Sequence, residues 1–203
     1  PVNSFSGVAI AVDGALDESD IVILPAFWGD FDDLLRRYPQ IAPWLRQRHA
    51  AGAVVAPGWV DVHTHFDGQV TWDDELDPSF SNGVTSLVMG NCGVGFAPVK
   101  PDRHDWLIGL MEGVEDIPGA ALAEGVKFNW QSFGQYMDVL DAMPHSLDFL
   151  TLVPHDPLRM YVMGERAAAQ QAASPEDIEK MRRLLAQALD AGALGFSTGR
   201  TDN

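Results

Sequence analysis

Residues 54–69, VVAPGWVDVHTHFDGQ, are an apolar run that closes on two histidines separated by one threonine, and they decide the fold. A run of this kind without interspersed charge reads as a buried strand, as found in parallel sheets. In an extended segment residues two apart share a face. Asp61, His63 and His65 then lie together, opposite Val60, Val62 and Thr64. Two imidazoles at the carboxyl end of a strand can reach one divalent ion, at roughly 2.0–2.1 Å from each nitrogen. An H-x-H pair on a half-exposed strand is common without any metal, so its surroundings must decide.

Outward from that run the pattern repeats. VTSLVMGNCG at 84–93 is another apolar run, ending in glycines around Asn91 and Cys92. LDFLTLVPH at 147–155 ends in His155, and ALGFSTG at 193–199 forms a further strand. Before that strand, SPEDIEKMRRLLAQALDAG at 174–192 has the marks of a helix. Ser174 caps it, Pro175 takes the first position, and Asp177 stands where a capping-box acid belongs. Ile178, Met181, Leu185 and Ala188 make one apolar stripe, and Gly192 supplies the stop. A shorter helix is expected at 132–142, within an otherwise mixed segment, 102–146.

From residue 54 onward, strands alternating with excursions and a helix predict βα units around a parallel sheet. In α/β barrels the carboxyl ends of such strands carry the chemistry. His63, His65, Cys92 and His155 would stand on that rim, and imidazole and thiolate are both good zinc donors. Asp67 is expected to orient one histidine from behind, His155 to face a substrate, and Asp61 to pair with a neighbouring donor. His49, His104 and His145 read as solvated, and Ser197 and Thr198 as rim residues bonded to backbone.

A net charge of −16, with 22 acidic against 9 basic side chains after residue 55, argues against a nucleic-acid partner. No run of eighteen apolar residues is present, so no membrane span is expected. The opening PVNSFSGVAIAVDG lacks the basic and apolar regions of a secretory signal. A single cysteine excludes an internal disulfide framework and suits a reducing cytoplasm. A start without Met and an end at RTDN, directly after a strand, lead to the expectation of a processed, excised or assembled chain.

PGWVDVHTHFDGQ followed by GVTSLVMGNCGVGFAP resembles the amidohydrolase superfamily, and specifically its N-acyl-D-amino-acid deacylase (D-aminoacylase) branch. EGVEDIPGAAL, LVPHDPLRMYVMG and AGALGFSTGRT extend the resemblance over about 54–203. It implies the N-terminal half of a (β/α)8 barrel with zinc at its carboxyl face. His63 and His65 would match the first-strand ligands and Cys92 the second-strand thiolate. The implied reaction is hydrolysis of the amide of a small N-acyl-D-amino acid, a carboxylate carrying the proton to the leaving amine. In this branch two further histidine ligands and the catalytic aspartate follow the segment matching AGALGFSTGRT. A chain ending four residues past Gly199 is therefore expected to be an incomplete, inactive portion.

The first 53 residues match a different pattern. Strand-like VAIAV at 8–12 and IVILPAF at 21–27 precede FDDLLRRYPQIAPWLRQRHAAG, a helix broken near Pro39 and ending at Gly52, with Leu34, Leu35, Ile41, Trp44 and Leu45 apolar. This resembles the DJ-1/PfpI amidotransferase-like domain of AraC-type regulators, without the elbow cysteine that should follow GAVV. A DJ-1-like, flavodoxin-like βα fragment at 1–53 joined to a half-barrel at 54–203, with no linker, implies a chimera. The rival readings are a non-catalytic α/β hybrid and a ligand-sensing module. An unfinished sheet would leave an open edge, and self-association through it is expected.

Overall fold

The computed structural model describes residues 2–3, 9–10, 21–24, 36, 39–52 and 54–199. Strands β1 (Val2–Asn3) and β2 (Ala9–Ile10) form a short antiparallel pair. Strand β3 (Ile21–Leu24), helix α1 (Ile41–Ala50) and strand β4 (Val54–Pro57) follow, with β3 and β4 parallel. The helix stops where expected: Gly52 adopts φ +95, the left-handed conformation that glycine tolerates. Leu34, Leu35, residues 25–27 and residues 200–203 lie outside the described residues.

The site rests on a third sheet, of four parallel strands in the order β5 (Trp59–Asp61), β6 (Val84–Met89), β7 (Asp148–Pro154), β8 (Gly195–Ser197). The single strand expected from residue 54 is in fact two. Its first half pairs with β3 and its second half with β6. The break falls at Gly58, where a Cβ would stand 2.0 Å from Thr85 Oγ1, so only glycine lets the chain pass β6 this closely. The expected two-sided burial also fails here. Trp59, Val60 and Val62 are 71%, 54% and 68% exposed. The cause is topological: among the described residues β5 is the edge of the four-stranded sheet, with β6 as its one ladder partner there.

Helices α2 (His104–Glu115), α3 (Gly119–Gly125) and α4 (Phe133–Asp141) connect β6 to β7. Helices α5 (His155–Met163), α6 (Glu165–Ala168) and α7 (Pro175–Asp190) connect β7 to β8. All three sheet connections that can be followed join parallel neighbours, as βα units require. Leu87 and Met89 of β6, one period of two apart, enter the core beside Leu107, Met111, Leu122, Phe133, Tyr136, Leu140, Leu158 and Ala188. Full burial of one such aliphatic side chain contributes about 2 kcal/mol. His145, expected to be solvated, is buried instead. Its Nε2 lies 3.0 Å from the Val70 carbonyl, and its ring meets Phe149 edge-on.

Helix α7 begins with the capping box read from the sequence, Ser174 and Asp177 each bonding the other's backbone. Ala188 of its apolar stripe is buried, but Ile178 is exposed. Asp177 also receives two hydrogen bonds from the Arg166 guanidinium, at 2.7 and 2.9 Å. That guanidinium, together with Ser174, holds its carboxyl well below the usual carboxylate range. A carboxyl whose folded pKa is depressed stabilises the fold above its unfolded pKa, about 4. Urea unfolding should therefore find wild type more stable than Asp177→Asn near neutrality, with the gap closing as pH falls through the lowered folded value.

Between β6 and its following loop, Gly90 has φ +79, and a Cβ there would stand 2.2 Å from the Leu152 carbonyl oxygen. Gly90→Ala is expected to cost about 2 kcal/mol or more in the same measurement.

Candidate metal centre

The backbone beyond β5 stays tied to β6 through Thr64, whose N–H and hydroxyl both donate to the Val88 carbonyl, at 3.0 and 2.8 Å. Thr64 is buried, His63 is exposed and His65 is half-buried, so the two rings flank a pinned residue. Asp61 turns back and accepts the His63 N–H at 3.2 Å, the local pairing expected of it. The two rings lie 5.5 Å apart, centroid to centroid.

Cys92 comes from the loop after β6, and that loop is held on both sides. Asn91 Nδ2 donates to the Thr64 and Val88 carbonyls, at 3.2 and 2.9 Å, clasping the ends of the two strands together. From the far side, Ser197 of β8 donates to the Gly90 carbonyl and accepts the Gly93 N–H at 3.1 Å. Ser197 is thus the backbone-bonded rim residue expected. Cys92 itself has φ +55, a conformation uncommon for a residue with a Cβ. Such conformations persist where surrounding contacts over-determine them, and they cluster at functional sites.

These constraints bring one ligand atom each from His63, His65 and Cys92 within 4.8 Å of one another. His63 Nε2 lies 3.1 Å from Cys92 Sγ. Burial pushes the Cys92 thiol up, and nearby Glu115 adds to the effect. Burial also lowers the His65 pKa, Glu115 opposing and His63 assisting, which favours the neutral imidazole that a metal needs. His65 Nδ1 is buried without a hydrogen-bond partner. Two imidazoles, one of them with an orphaned ring nitrogen, and a thiol fit a thiophilic or borderline divalent ion.

The other expected site residues are placed differently. Asp67 is 2% exposed, and its Oδ2 has no hydrogen-bond partner. Burial pushes its carboxyl up to about 7, against the pull of the Gly90 backbone. The Tyr136 hydroxyl donates to the Asp67 carbonyl at 2.9 Å, anchoring this loop to α4. The carboxylate that reaches a ring of the His63–His65 pair is that of Glu115, whose Oε1 lies 3.2 Å from His65 Nε2. His155 opens α5 at the end of β7 but stands outside the group of three. It neighbours Asp156 and Thr198 and lines a largely apolar cavity of about 280 Å³ with Ile178, Met181 and Phe196.

Comparison with known proteins finds relatives of this chain. The chain is 37% identical to the D-aminoacylase of Alcaligenes xylosoxydans xylosoxydans over 149 residues, 73% of this chain and 28% of that protein. It superposes on a D-aminoacylase structure that concerns the functional role of a binuclear metal centre, with a TM-score of 0.58 and 32% identity. It also superposes on the N-acyl-D-glutamate deacylase of Bordetella bronchiseptica complexed with zinc and a phosphonate inhibitor, with a TM-score of 0.52 and 30% identity. Both superpositions cover 71% of this chain and 28% of the other. The chain therefore spans little more than a quarter of the length of these relatives. The model of the amidohydrolase family matches residues 49–203, starting five residues ahead of the boundary expected at 54. The chain belongs to the amidohydrolase family.

Proposed function

We propose that residues 54–199 form the metal-holding rim of a hydrolase that cleaves the amide bond of N-acyl-D-amino acids, with zinc held by His63, His65 and Cys92. The convergence of their three donor atoms within 4.8 Å carries this reading. Relatives that are D-aminoacylases and N-acyl-D-amino-acid deacylases, one of them complexed with zinc, supply the substrate class and the metal. When bound, zinc supplies Lewis-acid polarisation of a carbonyl and lowers the barrier to nucleophile formation at neutral pH. The chain's own residues hold the donors in place. Thr64 and Asn91 fix the two strand ends, Ser197 fixes the cysteine loop, and Tyr136 secures the segment after His65.

In this reading the 203-residue chain binds the ion without turning over substrate. His63 is exposed and β5 is a sheet edge, so the rim lies open to water on that side. Such a rim neither orients a substrate nor strengthens the electrostatics acting on it. The rival reading is a non-catalytic α/β hybrid whose first 53 residues derive from a DJ-1/PfpI-like unit. It draws on the parallel β3–α1–β4 unit, which shares the run 54–61 with the four-stranded sheet. Elemental analysis separates the two readings. The chain, reconstituted with zinc and desalted, should retain close to one equivalent, and a His63→Ala, His65→Ala double variant should retain little. Equal zinc in both proteins would remove the metal reading. Hydrolysis of an N-acetyl-D-amino acid by the wild-type chain would overturn the expectation of inactivity.

A further inference from the structure

Asp67 is 2% exposed, and its Oδ2 has no hydrogen-bond partner among the described residues. Burying a carboxyl with one oxygen unsatisfied is costly, and an apolar side chain of similar shape would avoid that cost. Fold stability alone does not account for an acid here, and departures of this kind concentrate at functional positions. Asp67 is not a member of the group whose donor atoms converge, so it is not placed as a ligand. What lies around its carboxyl is the cysteine loop.

Both ends of that loop, residues 90–95, meet the same carboxyl. Gly90 gives it a backbone hydrogen bond. At Gly95 a Cβ would stand 3.0 Å from Asp67 Oδ1 and 3.0 Å from Pro154 Cγ, so a glycine lets the second end close onto Asp67. Cys92 lies between these two contacts, at φ +55. The other side of the loop packs on the end of β8, where a Cβ on Gly199 would stand 2.2 Å from the Cys92 carbonyl oxygen. Asp67 is itself fixed from behind. Its carbonyl accepts the hydroxyl of Tyr136, a fully buried residue of α4, at 2.9 Å.

We infer that Asp67 is a positioning residue for Cys92: its carboxyl, anchored through Tyr136, holds both ends of the loop and keeps the thiol turned toward the two imidazoles. This rests on the metal reading of His63, His65 and Cys92. It adds a hold from the segment after His65 to those that Asn91 and Ser197 supply. Through it, helix α4 bears on the sulfur without touching it.

The test uses the full 203-residue chain loaded with cobalt(II), for wild type, Asp67→Asn and Asp67→Ala. Metal affinity is read together with the sulfur-to-cobalt charge-transfer absorption, which a merely structural role for Asp67 would leave in place. Wild type should show that absorption. Asp67→Ala should lose most of it and bind about 10–100-fold more weakly, the usual effect of removing a residue that orients a ligand. The amide oxygen of Asp67→Asn still accepts the Gly90 N–H and should recover most of both. Wild-type absorption and affinity in Asp67→Ala overturn this inference and leave the metal reading standing. An Asp67→Asn chain as impaired as Asp67→Ala also overturns it, since acceptor geometry would then not be what holds the loop. A wild-type chain that binds no cobalt, or binds it without the absorption, overturns the metal reading and this inference with it. Should Asp67→Ala fail to fold, Tyr136→Phe keeps the ring and removes only the hydroxyl behind Asp67. A loss of affinity and absorption in that variant supports the inference, and wild-type values overturn it.

Discussion

The parallel pairing of β5 with β6 is the constraint on which the rest of the molecule depends. It sets the histidine pair and the cysteine loop at the same end of adjacent strands, and Thr64 extends it past the last ladder residue by bonding twice to the Val88 carbonyl. Asn91 then bonds both strand ends at once. With the two ends clasped, His63 Nε2 and Cys92 Sγ stand 3.1 Å apart although 29 residues separate them in sequence. A shift of the ladder by one residue would turn the histidines to the other face and dissolve the group.

The cysteine loop illustrates how a strained conformation is maintained. Cys92 at φ +55 has no intrinsic reason to stay there. Asn91 restrains the loop from the β5 side and Ser197 from the β8 side. Gly90 allows the approach to the Leu152 carbonyl that a side chain would forbid. Strands β5, β6, β7 and β8 all contribute to placing one sulfur. That accounts for the distribution of sequence motifs along the chain: HTH, NCG and GFSTG are remote in sequence but meet at one rim.

Much of this is legible in the sequence, for physical reasons. Buried parallel strands leave continuous apolar runs, and β6 and β7 are visible that way. Helix α7 carries a capping box and a glycine stop, signals that act locally and survive without knowledge of packing. The donor trio can be read because chemistry restricts which side chains bind a soft or borderline ion. What stays hidden depends on tertiary context. Helix α2, HDWLIGLMEGVE, contains two glycines that weaken its local signal, and the burial of Leu107 and Met111 outweighs them. Trp59, Val60 and Val62 are apolar like core residues, yet they fall on or just past an edge strand, and nothing in their types distinguishes the two cases. Glu115 is hidden because its partner lies 50 positions away, its one signal being an acid at the wrong end of a helix. Asp67 is expected from the sequence to orient a histidine of the pair, but the carboxylate found against His65 belongs to Glu115.

The central claim is that imidazole nitrogen and thiolate sulfur share one ion. X-ray absorption at the zinc edge, on the zinc-loaded 203-residue chain, addresses it without reference to activity. Shared coordination predicts a sulfur scatterer at about 2.3 Å together with imidazole nitrogens at about 2.0 Å. A shell of oxygen and nitrogen with no sulfur would place Cys92 outside the centre and contradict that claim.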